Sequence, residues 1–186
     1  METEILHSLK ILKEGKTLVY PTDTVWGIGC DATSEKAVNK VFTIKKRPES
    51  KSLIILVNSF EMLQNIIKNI PKNVLEVLKK AESPTTIIYQ NPQGLAKNVI
   101  AADNTVAIRI VQNEFCKELI YRFQKPIVST SANISGSPTP KSFKEIEKAV
   151  LDSADYVVNL QREEVSEKSS TILKVEENGK ITVLRK

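Results

Sequence analysis

A single histidine, His7, is all this chain contains. With His7 on a surface helix, no base is left for a Ser-His-Asp triad, and no paired-histidine metal site can form. Cysteine is nearly as scarce. Cys30 and Cys116 are far apart and outside any C-x-x-C spacing, which predicts two reduced thiols in a cytoplasmic protein rather than a disulfide. No apolar run approaches the ~18–20 residues of a membrane span. The acidic start Met1-Glu2-Thr3-Glu4 enters an amphipathic helix and is unlike a secretory signal. The P-loop pattern G-x-x-x-x-G-K-[ST] is missing. Gly27-Ile28-Gly29-Cys30-Asp31-Ala32 does match G-x-G-x-x-A, yet polar Pro21–Thr24 separates it from the preceding strand. The region about 20 residues further on is basic, so a dinucleotide enzyme is a weak alternative.

What is present is an ordinary globular composition. The 186 residues are 41% hydrophobic and 26% charged, which predicts one domain over residues 1–186. The formal charge of +5 favours polyanions without choosing among them. Basic residues concentrate at Lys40, Lys45, Lys46, Arg47 and Lys51, with Glu49 the only acid among them.

Strand and helix patterns alternate along the chain. Helical periodicity predicts helices over 4–14, 34–44, 60–69, 72–81, 113–123 and 142–151, with Ser34 as a cap. Apolar runs predict strands at 17–20, 52–57, 85–90, 105–111, 126–130, 155–158, 170–175 and 180–185. The class is therefore α/β. The last three strands lie too close together for helical crossovers, so part of the sheet should be antiparallel.

Four segments are poor fits to simple packing. In Ile127-Val128-Ser129-Thr130-Ser131-Ala132-Asn133, an extended backbone would point Ser129, Ser131 and Asn133 to one face. In Lys45-Lys46-Arg47-Pro48, the proline pushes Arg47 toward an extended conformation, so Lys45 and Arg47 should face the same way. Tyr20-Pro21-Thr22-Asp23-Thr24 reads as a turn, and Gly27 and Gly29 after it imply backbone packed closely against something, a ligand being one option. Arg109 interrupts the apolar strand Val106–Val111, where a charge must be paired or bind something. The loop at 134–141, with Gly136, Pro138 and Pro140, reads as a cover beside the Ser/Asn row.

Taken in order, these segments resemble the YrdC-like family of threonylcarbamoyl-AMP synthases, from about Ile11 to Arg185. The resemblance also takes in Trp26-Gly27-Ile28-Gly29, Ser52-Leu53-Ile54-Ile55 and Ser170-Thr171-Ile172. It implies a twisted mixed parallel/antiparallel sheet with flanking helices and a concave, positively charged face. It implies synthesis of L-threonylcarbamoyladenylate and pyrophosphate from L-threonine, bicarbonate and ATP with Mg2+, no dedicated protein ligand for the metal being evident. A separate threonylcarbamoyl transferase would then modify adenosine in tRNA, and direct binding of tRNA or double-stranded RNA is a further implied partner. By family position, Lys45, Arg47, Lys51, Thr105, Ser131, Asn133, Thr139 and Arg185 would line the ATP site. Thr24, Arg109, Ser129 and Ser170 would surround L-threonine. No catalytic acid or base is assigned. Leu56 stands where many relatives have histidine, and Ala81-Glu82-Ser83-Pro84 where they often carry a Trp-Pro-Gly turn. The alternatives are a non-catalytic RNA-binding module and a family paralogue with another nucleotide-dependent activity.

Overall fold

The computed structural model describes residues 1–48, 53–166, 169–176 and 178–186. In chain order the elements are α1 (Glu2–Lys13), β1 (Leu18–Tyr20), β2 (Gly27–Gly29), α2 (Glu35–Ile44), β3 (Ile54–Val57), α3 (Phe60–Ile66) and α4 (Lys72–Lys80). There follow β4 (Thr85–Gln90), β5 (Thr105–Ile110), α5 (Glu114–Phe123), β6 (Ile127–Ser131), α6 (Lys148–Ser153), β7 (Tyr156–Val157), β8 (Thr171–Val175) and β9 (Ile181–Arg185). Helix starts follow local chemistry. Ser34, Ser59 and Asn113 each accept a hydrogen bond from the backbone N–H three residues on, satisfying donors that the first turn leaves unpaired.

The strands form one mixed sheet in the order β7-β1-β2-β6-β3-β5-β4-β8-β9. Parallel pairs are β1 with β7, β3 with β5 and β4 with β8, and the remaining pairs are antiparallel. The expected antiparallel component at the end of the chain is the β8–β9 hairpin. β7, by contrast, lies at the opposite edge, beside β1.

Side chains alternate across this sheet, and its two faces are treated differently. Ile28, Val128, Ile55, Ile108, Ile87 and Leu173 share one face and a buried cluster with residues of α2 and α3. On the other face, Leu18, Tyr20, Leu56 and Ile127 are covered by Ile5 and Leu12 of α1 and by Phe115, Leu119 and Ile120 of α5. That cover ends partway along the strands. One register step beyond Leu56 and Ile127, the residues Ile54 and Ser129 stand opposite each other at an open cavity.

Two differences from the expected elements have physical causes. β2 was not anticipated, because two of its three residues are glycines, which weaken strand propensity. The close packing implied by those glycines is against β6: a Cβ on Gly29 would fall 1.7 Å from the Val128 carbonyl oxygen. One on Gly27 would fall 3.0 Å from Ser129 Oγ. The helix expected over 142–151 is broken into a 3-10 turn at Phe143–Glu145 and then α6. Phe143 packs against Trp26 at 4.9 Å between ring centroids, and Ile146 is buried. An i, i+3 pair drawn inward together suits the tighter turn.

Gly29→Ala is expected to cost at least ~3 kcal/mol in urea unfolding, because backbone rather than a movable side chain blocks the new methyl. Gly27→Ala meets a hydroxyl that can shift and should cost clearly less. Equal stability of the two variants would contradict this packing.

Candidate functional site

β6 begins with Ile127-Val128 in the core and ends with hydroxyls. Its antiparallel pairing with β2 and β3 carries Ser129 and Ser131 onto the open part of the sheet face. There they line a cavity of about 350 Å³ together with Arg47, Arg109 and Arg185. Thr22, Thr24, Thr86, Thr130, Thr139, Ser169 and Ser170 add further hydroxyls, and Ile54, Ile88, Ala107 and Ile172 supply an apolar floor. No acidic side chain lines the cavity among the described residues.

Arg109 lies at the boundary between the covered and open parts of the face, on β5 beside Leu56. Its guanidinium is almost wholly buried. Nη2 approaches Asp23 Oδ1 at 3.0 Å, and Nη1 donates to Thr24 Oγ1 at 3.2 Å. Nε is buried without a hydrogen-bond partner. The charge that looked out of place in an apolar strand is thus paired with the Pro21–Thr24 turn, and since Arg109 also lines the cavity, its remaining N–H donors can serve a ligand.

Ser170 and Arg185 meet beside Thr86, the cross-strand partner of Arg109. Thr86 Oγ1 donates to Ser170 Oγ at 2.9 Å. Arg185 donates through Nε and Nη2 to the Ser170 carbonyl at 3.1 and 2.8 Å. The Ser170 hydroxyl thus accepts from Thr86 and, at 3.4 Å, from Arg185 Nη2, so its own proton can serve a ligand. Thr86 was not among the sequence-predicted site residues. It faces Arg109 across the β4–β5 ladder and shares a face with Ile88, a register that only the fold reveals.

The basic turn differs from expectation. Arg47 N–H donates to Phe42 O at 2.9 Å and Lys46 N–H to Thr43 O at 3.1 Å, with Lys46 at φ 47°. This is a Schellman stop on α2, in which Lys46 takes the left-handed position usually given to glycine. Arg47 lines the cavity, but Lys45 does not. The Lys45 ammonium is buried and donates to the carbonyls of Ser131 and Asn133 at 2.5 and 2.7 Å. Burial, assisted by the nearby Arg47 charge, pushes its pKa down to about 8.

Asn133 also departs from the expected row. It lies past the end of β6, buried, with Nδ2 donating to Ser137 O at 2.7 Å and Ile134 O at 3.2 Å. Ser135 N–H is held by Lys45 O at 2.7 Å. The 134–137 part of the loop read as a cover is therefore pinned to both Asn133 and Lys45, while Thr139 reaches the cavity wall. Thr105 is not brought to the cavity. It donates to Asp103 and lines a separate polar depression with Gln90 and Lys174. Lys51 and Ser52 lie outside the described residues.

The arrangement suits binding and alignment more than covalent catalysis. Burial pushes the Cys30 and Cys116 thiols up, which makes them poor nucleophiles. Three guanidinium groups among neutral hydroxyls form a receptor for anions with adjoining polar groups.

Comparison with known proteins gives a consistent result. A family model described as telomere recombination (Sua5_yciO_yrdC) matches residues 10–186. The chain is 31% identical over 159 residues to the threonylcarbamoyl-AMP synthase of Pyrococcus abyssi, covering 85% of this chain and 47% of that protein. It is 33% identical over 150 residues to the threonylcarbamoyl-AMP synthase of Psychromonas ingrahamii, with 79% and 78% covered. The structure of P. abyssi Sua5 complexed with L-threonine matches 100% of this chain and 54% of that one, with a TM-score of 0.88 at 29% identity. The chain thus spans about half the length of the Pyrococcus relative.

The Lys45 pKa predicts a pH effect on stability. Unfolded, the amine titrates at its ordinary 10.5, so between pH 8 and 10.5 the folded chain holds fewer protons. Wild type should therefore gain stability relative to Lys45→Met as pH rises from 8 to 10, by up to about 1.4 kcal/mol per pH unit. Urea unfolding at each pH measures this. A change of the opposite sign would show that the buried ammonium is favoured over the neutral amine.

Proposed function

The chain belongs to the Sua5/YciO/YrdC family, and from that premise we propose that it is a threonylcarbamoyl-AMP synthase acting on L-threonine, bicarbonate and ATP. The observation that carries this reading is the convergence of Arg47, Arg109 and the Ser129/Ser131 hydroxyls on one cavity. Threonine needs a carboxylate anchor and a partner for its hydroxyl. ATP needs cations beside its phosphates. The cavity offers both without an acidic side chain, among the described residues, to repel them.

The chemistry asks little covalent help of the protein. The threonine amine takes up bicarbonate with loss of water to give a carbamate. A carbamate oxygen then attacks the α-phosphorus of ATP, and the bond to the pyrophosphate leaving group breaks. Catalysis is then chiefly alignment and stabilisation of phosphate charge. Arg47 suits the phosphates through its forked donors, with Ser131, Thr139 and Arg185 nearby. Arg109, which lines the cavity, takes the threonine carboxylate through N–H donors not engaged by the turn, while Thr24, Ser129 and Ser170 surround the rest of the amino acid. A hydroxyl partner for the substrate side chain rejects valine by leaving a polar group unpaired. Mg2+ would enter with ATP and offset the charge of its phosphates.

The product passes to a separate transferase that modifies adenosine in tRNA. Among the described residues, no helix is long and apolar enough to cross a membrane. The two free, buried cysteines fit a reducing compartment, and the cytoplasm is the proposed place of action.

Pyrophosphate release from ATP should require both L-threonine and bicarbonate. Its absence, together with tight and steeply salt-dependent RNA binding, would favour an RNA-binding module instead. Arg47→Ala should weaken ATP use by about 2 kcal/mol, as loss of a charged hydrogen bond does. Arg109→Ala should raise the threonine requirement more than the ATP requirement, and the reverse ranking would contradict the subsite assignment.

A further inference from the structure

We propose that Asp23 is a positioning residue for Arg109, fixing the direction from which its guanidinium meets the carboxylate of the amino-acid substrate. The inference rests on the reading of Arg109 as the threonine anchor and extends it to a residue that does not line the cavity. Read as sequence, Asp23 is an ordinary turn former between Pro21 and Thr24.

Its surroundings assign it more than that. The Asp23 and Arg109 side chains are 7% and 3% exposed, and Oδ1 lies 3.0 Å from Nη2. The other carboxylate oxygen accepts from the Gln112 backbone N–H at 3.3 Å. The carboxylate therefore links the β1–β2 turn to the chain just beyond β5, the strand that carries Arg109. The adjacent Thr24 takes Nη1, and Thr24 N–H is in turn held by Thr22 Oγ1 at 3.1 Å. One turn thus faces both Nη groups, through a hydrogen bond at Nη1 and a buried ion pair at Nη2, while Nε and Asp23 Oδ1 are both buried without a hydrogen-bond partner. Arginine has many rotamers, and a guanidinium left to choose among them would lose that freedom on each binding event. Held from two sides, it meets the substrate already ordered.

Asp23 itself faces a different depression on the far side of Arg109, beside Phe60, Leu78, Pro84 and Ile110. It acts through the arginine rather than on the reacting atoms. The pair also has no net charge, so the anchor selects by geometry instead of attracting every anion that enters the cavity.

The test compares binding of L-threonine with that of 1-amino-2-propanol, the same molecule without its carboxylate, by calorimetry on the full chain. Taking the ratio of the two affinities cancels any loss of folded protein. Wild type should prefer threonine, and Asp23→Asn should shrink that preference about tenfold, in line with the loss of a buried ion-pair contact. Adding Asp23→Asn to Arg109→Ala should change the ratio no further. An unchanged or larger preference in Asp23→Asn would overturn the proposal, the latter by showing that Asp23 competes with substrate for Arg109. If Arg109→Ala keeps the wild-type preference, the anchor reading itself fails, and that result is distinct from a failure at Asp23. Should Asp23→Asn not fold, Asp23→Glu keeps the charge but displaces it by one methylene. The same ratio must then fall.

Discussion

The ammonium of Lys45, donating to the backbone carbonyls of Ser131 and Asn133, is the contact on which the site depends. It ties the end of α2 to the end of β6, segments separated by 86 residues at Ser131. A buried ammonium is costly unless acceptors surround it, so this lysine has few alternatives once α2 packs on the sheet. The Schellman turn that starts at Lys45 then directs Arg47 into the cavity that Ser131 lines. The cation and the hydroxyl row arrive together because one side chain holds the two backbones in place.

The remaining geometry follows from how far α1 and α5 extend over the sheet. Where they cover it, Leu56 and Ile127 are fully buried. Where they stop, the same face displays Ser129, Ser131, Ala107 and Ile54. Arg109 stands at that border, close enough to the core to be desolvated and close enough to the cavity to keep a donor for a ligand. Desolvation strengthens its pairing with Asp23 and makes its position more exacting. The binding surface is thus an uncovered part of a core face, with polar side chains substituted where helices no longer shield it.

Much of this was legible from local pattern. The Ser129/Ser131 alternation, the anomalous charge at Arg109 and most helix boundaries follow from period and capping, which depend on near neighbours in sequence. What was missed depends on tertiary partners. The proline rule at Pro48 favours an extended Arg47 but carries no information about the carbonyls that draw Lys45 inward. Asn133 was placed by strand period, which lapses once the chain leaves β6 and its amide turns to Ser137. The glycines of β2 gave a true signal of close approach, and only the fold identified β6 as the neighbour. Thr105 shares a strand face with Arg109, yet the cavity ends at Ala107 and Ile88 before reaching it.

A crystal structure of the chain with L-threonine and a non-hydrolysable ATP analogue tests the central claim most directly. The account predicts phosphates against Arg47 and Ser131, while the Lys45 ammonium stays on the carbonyls of Ser131 and Asn133. A Lys45 ammonium swung off those carbonyls and onto a phosphate would contradict it.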